Sequence, residues 1–449
     1  MATINSIKQV EIFPSNRSST SNTWSYRDGN PTLVFNFGVQ DMYLMSDTLR
    51  LNFKLRLHTN AANNQATFPN NNNAAGGGAC EVLLNDKIGA MSVFQNITLS
   101  NAQNQNLEYV RNFPRLLASL IPARANFGDY ATILQQHFGA FSNKQAQGSL
   151  CNSYIEVSAP IMCGMFLMGD PIPLGMNGTG GLQIKFQLTP SIEANFGAQG
   201  AESYYTIENP SLTCVMGVPP GGVLPKISAY PYLNYSSYYG VLNNSDETHN
   251  IQMNLSSVLS TFSNFVPTQF IANSTEDGNQ TPQLRNAAAV GAAPNVEAPI
   301  NRYTTLRGGL KYPYQFAVDE RRNITFNQAG VAVSTNQAQL IRNFLSSISS
   351  PIKDLTSTLT GNISEATQAA GPTPPVADQH FNSQGENVIG VGTRYDQLGI
   401  GDGANFKTRT FSHRIQSSLN GITPNSIYTF ALAKNMITFN DSGGIAVSN

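Results

Sequence analysis

The sequence predicts an all-β protein with a few short helices, laid out as two halves of one plan. Three observations predict it. Apolar and polar residues alternate over many short runs, the pattern of strands with one buried face. Near the middle of the 449 residues lies Cys214 to Pro225, CVMGVPPGGVLP. There Pro219 and Pro220 each remove a backbone donor, while Gly221 and Gly222 add conformational freedom, so neither a helix nor a central strand is expected to pass. On each side of this joint the chain carries short strands, an early long polar loop, and a helix after that loop. No residue-level repeat links the halves, so the likeness is one of layout. The length also suits more than one domain, each large enough to bury a core.

Taken in order, residues 1–30 are polar, with Phe13, Trp24 and Tyr26 as their only large aromatics, and read as an extended arm with little core of its own. Leu33, Phe35 and Phe37 then alternate. In LRLNFKLRL, Leu49, Leu51, Phe53, Leu55 and Leu57 point one way and Arg50, Asn52, Lys54 and Arg56 the other, which is the clearest strand of the chain. Thr59 to Ala79 is an Asn-, Ala- and Gly-rich loop without periodicity. A strand follows at Val93 to Ser100, then a turn from Asn101 to Asn106. The spacing of Leu107, Val110, Leu117, Leu120 and Ile121 predicts a helical stripe, kinked or restarted at Pro114. Tyr130, Ile133, Leu134, His137 and Phe138 mark a second stripe. Strands at Tyr154 to Ser158, Leu182 to Thr189 and Tyr204 to Val218 close the first half.

Beyond the joint, Tyr230, Tyr232, Tyr235, Tyr238 and Tyr239 crowd one segment. Such a cluster can form a sugar platform, but in a β-protein it reads better as strand core with hydroxyls at the rim. Ile251, Met253 and Leu255 alternate, and Phe262, Phe265, Val266 and Phe270 follow. A second polar stretch runs from Asn273 to Pro299, strand signals return between Asn301 and Asp319, and Asn336 caps a helix through Leu340, Ile341, Phe344, Leu345 and Ile348. Leu359 to Asn405 reads as a third irregular region, with GVGTRYDQLGIGDG as a loop tip. Strands at Phe406 to Gln416, Ser426 to Ala433 and Met436 to Phe439 end the chain. The division expected is therefore an arm at 1–30, a first unit at 31–218, a joint at 219–225 and a second unit at 226–449.

Composition narrows the function. Charged residues make up 12% of the chain and the net charge is −1. The longest basic run is Arg321-Arg322, so extensive or sequence-specific nucleic-acid binding is not expected. Cys80, Cys151, Cys163 and Cys214 are scattered and read as buried free thiols rather than disulfides or metal ligands. The N-terminal stretch lacks the apolar core of a signal peptide and no run approaches a membrane span, which suggests a chain made and folded inside a cell. The N-x-S/T triplets at Asn96, Asn177 and Asn323 carry no weight in so Asn-rich a sequence.

The chemistry of a catalyst is not assembled in the sequence. His58, His137, His249, His380 and His413 lie far apart, without the close pair a metal-bearing jelly roll needs. The glycines at 76–78 and 390–403 do not form a phosphate-cradling loop. Carboxylates such as Glu81 and Asp86, or Asp319 and Glu320, could in principle pair across a cleft as a glycosidase-like acid and nucleophile, but read better as ordinary surface carboxylates. No nucleophile with its base can be named, so no catalytic, cofactor or metal residue is assigned, no cofactor is expected, and the chain reads as a non-enzyme. The alternative to a structural role is a receptor- or glycan-binding protein that uses the tyrosines and the loops.

Three segments carry a family likeness: LRLNFKLRL preceded by WSYRDGNPTLVFNFG, then FQNITLSNAQNQNLEYVRNFPRLLASL, and finally GITPNSIYTFALAKNMITFNDSGGIAV. They resemble the major capsid proteins of virophages and polinton-like viruses, of the double jelly-roll lineage. The resemblance implies two eight-stranded antiparallel jelly rolls side by side. It further implies a homotrimer that forms a pseudo-hexagonal capsomer and tiles an icosahedral shell. The long polar loops would be outward towers, and the arm would reach neighbouring subunits. Its implied partners are the protein itself, adjoining capsomers, penton and minor or cement proteins, and an internal membrane beneath the shell; its implied location is the virion. The joint, on this view, restricts how the two rolls are oriented.

Overall fold

A computed structural model describes residues 4–17, 22–38, 41–58, 82–83, 88–101, 103–124, 154–175, 181–189, 197–198, 204–242, 246–267, 314–318, 321–326, 347, 391–395, 403–407, 409–416, 425–439 and 445–448. The strands of the first half are β1 (Ser6–Ile12), β2 (Thr23–Trp24), β3 (Thr32–Phe37), β4 (Tyr43–His58), β5 (Val82–Leu83), β6 (Phe94–Asn101) and β7 (Asn106–Arg111). Helix α1 (Phe113–Arg124) follows, then β8 (Ile155–Pro160), the single turn α2 (Gly164–Leu167), β9 (Pro171–Pro173), β10 (Leu182–Leu188), β11 (Gly197–Ala198) and β12 (Tyr204–Val218). The second half holds β13 (Ala229–Leu242), β14 (Asp246–Gln252), β15 (Val258–Pro267), β16 (Tyr314–Val318), β17 (Arg321–Phe326), β18 (Val391–Arg394), β19 (Thr410–Gln416), β20 (Asn425–Phe439) and β21 (Ile445–Ser448).

Two sandwiches result. In the first, a sheet ordered β1-β12-β4-β8 faces the β7-β6-β10-β3 portion of a second sheet. The alternation of β4, which pairs with β12 and β8 in the first sheet, gives that sheet its buried face: Leu49, Leu51, Phe53 and Leu55 are at most 3% exposed and point at the opposite sheet. Phe53 meets Phe94 of β6 edge to face at 5.4 Å, and Phe94 packs on Phe186 of β10 at 5.0 Å. Each side chain so buried contributes about 1.5–3 kcal/mol of transfer free energy. The outward face of β4 is tied to its neighbours by charge. Arg56 makes a two-point ion pair with Glu208 of β12, at 2.7 and 3.3 Å, and Lys54 pairs with Glu156 of β8 at 3.0 Å.

In the second sandwich, strands β13, β20, β15 and β18 continue that second sheet, and the sheet β14-β19-β16-β17 lies across from them. Ile251, Met253 and Leu255 are buried as their alternation predicts. His249 of β14 packs so closely on Gly240 of β13 that a Cβ there would lie 2.1 Å from the imidazole. The sheet shared by both halves is therefore continuous, in the order β18-β15-β20-β13-β7-β6-β10-β3, and the link between halves is one parallel pairing of Ser236 with Tyr109.

Several expectations change. Leu107 and Val110 belong to strand β7, not to a helix; the turn at Asn101 to Asn106 closes a β6–β7 hairpin that sets Val110 opposite Ile97 and Glu108 opposite Leu99, with Leu107 at an irregularity in the register. The helix begins only at Phe113, with Pro114 in its first turn, where a missing N–H costs nothing. Residues of the supposed arm are paired: β1 runs antiparallel to β12 from Ser6–Val218 to Ile12–Leu212, and Trp24 is fully buried. The strand expected at Tyr204 to Val218 is found with those bounds, so only the Cys214–Val218 part of the central stretch changes, being strand rather than break. Within the third irregular region Val391–Arg394 forms an edge strand on β15, and the last two strands expected are the single β20, whose Lys434 and Asn435 pair with Leu233 and Tyr232. The loops at 59–79 and 273–299, the stripe at 130–138 and the helix after Asn336, apart from a helical Ser347, lie outside the described residues.

Candidate functional site

The site that organises the molecule is the seam where the two sandwiches meet. It is built on β7, where a register irregularity at Leu107 buries that residue as well as Val110 and places Glu108 at the boundary, 2% exposed. The Oε1 of Glu108 accepts the N–H of Gly164 at 2.8 Å and the N–H of Tyr235 at 2.9 Å, and Oε2 accepts the N–H of Met165 at 3.1 Å. One carboxyl thus ties α2 of the first half to β13 of the second. Burial pushes Glu108 up to about 7, against the lowering pull of those three donors. Burial, and secondarily the Glu108 charge, also pushes up the neighbouring thiol of Cys163.

Other contacts follow the same line. The Tyr232 hydroxyl donates to the Leu107 carbonyl at 2.9 Å, and the Arg111 N–H donates to Ser237 Oγ at 2.9 Å. Helix α1 buries Phe113, Leu116, Leu117, Leu120 and Ile121, and presents Ser119, whose hydroxyl accepts from Asn264 of β15 at 2.6 Å. Arg115 lies over the Tyr428 ring at 5.3 Å; burial lowers its pKa, and Tyr428 partly offsets that. Gly164 sits against β13 with no room for a side chain. A small apolar cavity of about 30 Å³, bordered by Leu107, Met165, Leu182, Tyr230 and Ile437, completes the seam and has room for about one water.

The residues weighed for chemistry do not converge here. Among the described residues no group of three or more His, Cys, Asp or Glu stands close enough to hold a metal. Cys163 and Cys214 are free and buried. The backbone register sets His249 opposite His413, a pairing that sequence distance conceals. Glu81, Asp86, Asp319, Glu320, Cys80, Cys151, His137 and His380 lie outside the described residues. Of the five clustered tyrosines, Tyr230, Tyr232 and Tyr235 are core residues and Tyr239 is 56% exposed, which removes three rings from any sugar platform. Two cations of β4, Lys54 and Arg56, are committed to carboxylates, as above. Glu108 itself was not singled out by sequence reasoning; the one signal was an acidic residue between apolar neighbours in NLEYV.

Two eight-stranded sandwiches sharing one sheet make this a double jelly roll. The fold matches that of solved viral capsid structures. PBCV-1 VP54, fitted into a cryo-EM reconstruction of the virophage Sputnik, is 11% identical, with a TM-score of 0.53 over 100% of this chain and 98% of that one. The mavirus major capsid protein is 11% identical, with a TM-score of 0.51, and 98% of this chain covers 90% of it. The Faustovirus major capsid protein is 8% identical, with a TM-score of 0.54 and coverage of 98% and 91%. No protein-family model and no curated protein sequence matches the chain.

Proposed function

We propose that this chain is a major capsid protein, a non-catalytic building block of which three copies form a pseudo-hexagonal capsomer. Six sandwiches from three chains give such a unit its outline, and repetition of the unit tiles an icosahedral shell. The observation that carries this reading is the union of two sandwiches through a continuous sheet, in a fold shared end to end with viral capsid proteins. A low content of charge suits it, since charged residues are depleted at interface cores. The partners of this reading are further copies of the chain, adjoining capsomers, and penton and minor or cement proteins, with the virion as its location and the host cell as the place of assembly. Expression of the full chain with electron microscopy of the purified material tests it. Three-fold particles with six-lobed outlines, or closed shells, are the expected result; monodisperse single subunits under all assembly conditions would reject it.

A further inference from the structure

The rim of the seam holds a contact made through sulfur. Away from β20, strand β13 meets another strand at one position, Ser236 with Tyr109. The N–H groups just before it are met by side chains of the first half: Tyr235 donates to Glu108, and Leu233 donates to Sδ of Met168 at 3.0 Å. Met168 ends α2, is half-buried against the first core, and is followed by Gly169 and Asp170, both exposed. Met165, one turn earlier, is only 1% exposed. We propose that Met168 is a modification site, a thioether that dilute peroxide converts to the sulfoxide, and that this oxidation unties the end of α2 from β13. The inference is independent of the shell reading.

The step balances. A lone pair of Sδ attacks one oxygen of hydrogen peroxide, an S–O bond forms as the O–O bond breaks, and the departing hydroxide takes the proton left on the transferred oxygen and leaves as water. Sulfur loses two electrons and the peroxide gains them. In the reduced form the 3.0 Å approach of sulfur to the Leu233 nitrogen leaves no room for an oxygen between them. An oxygen on that line would need sulfur and nitrogen roughly 4 Å apart. The start of α2 resists such a retreat, because Gly164 packs directly on the Asn234 backbone and Glu108 holds the N–H groups of Gly164 and Met165. The sulfoxide therefore turns away, and its sulfur, now electron-poor, no longer accepts from Leu233.

The full-length protein is treated with dilute hydrogen peroxide, its methionines are followed by peptide mass spectrometry, and exchange of the Leu233 amide is measured before and after. Met168 is expected to react after Met436, which is 42% exposed, and before Met91, Met165, Met216 and Met253, each at most 1% exposed. Exchange at Leu233 should rise roughly two- to tenfold with Met168 oxidation, the effect of one lost hydrogen bond, and return when methionine sulfoxide reductases for both epimers restore the thioether. Met168→Leu keeps the volume without the acceptor, so it should show the faster rate from the outset and no response to peroxide. Should that variant not fold, the wild type decides: a rise at Leu233 that tracks Met168 sulfoxide and reverses with it supports the proposal. Met168 staying reduced until the buried methionines react, Leu233 exchange unchanged or slowed in the sulfoxide, or the same peroxide response in Met168→Leu overturns it.

Discussion

Gly164 shows how finely the seam is fitted. A Cβ at this position would lie 2.7 Å from the Asn234 Cα and 2.8 Å from the Leu233 carbonyl oxygen, both main-chain atoms that cannot swing aside. Gly164→Ala should cost about 1–3 kcal/mol or more by overpacking, read as a lower urea midpoint, whereas Gly38→Ala, with nothing within 4 Å, should be near neutral. Equal midpoints for the two would show that α2 is not docked on β13 in this way. Trp24 makes a second residue-scale case: it is fully buried, and Trp24→Ala should remove about 3–5 kcal/mol in the same assay. What was legible at this scale is the core of each strand, because burial writes itself into period-two alternation. Glu108 was not legible, because its donors come from residues 56 and 127 positions away and no local pattern reports them.

At the scale of elements, most errors share one cause: local spacing competed with pairing and lost. Leu107 and Val110 fit a helix three residues apart, but hairpin closure with β6 takes them into the sheet. Lys434 and Asn435 look like a break, yet they continue a ladder with β13. β1 reads as an arm because its side chains face water, while its backbone is paired along its length with β12. Removal of residues 1–30 is therefore expected to lower stability and not merely to block assembly, since Trp24 goes with it; removal of residues 1–12 should cost far less. Comparable thermal midpoints for the two truncations would restore the free-arm reading. The Pro-Pro-Gly-Gly joint also changes meaning. The β7–β13 pairing, Glu108 and α1 span the seam, so the joint is not what orients the sandwiches. Replacement of Pro219 and Pro220 by Ala should leave assembly close to wild type; particles that fail to form, with subunits still folded, would return that role to the joint.

At the scale of the whole molecule, an all-β chain of two sandwiches was readable from alternation, a central break and repeated layout. The shared sheet was not, since one parallel pairing between Tyr109 and Ser236 leaves no trace in either segment. That pairing joins the two sandwiches through one continuous sheet. The account therefore stands on self-association. Light scattering coupled to size exclusion, on the purified full-length chain at rising concentration, measures it: the predicted mass is about three times the 48.5 kDa subunit. A mass that stays at one subunit up to the highest soluble concentration would contradict it.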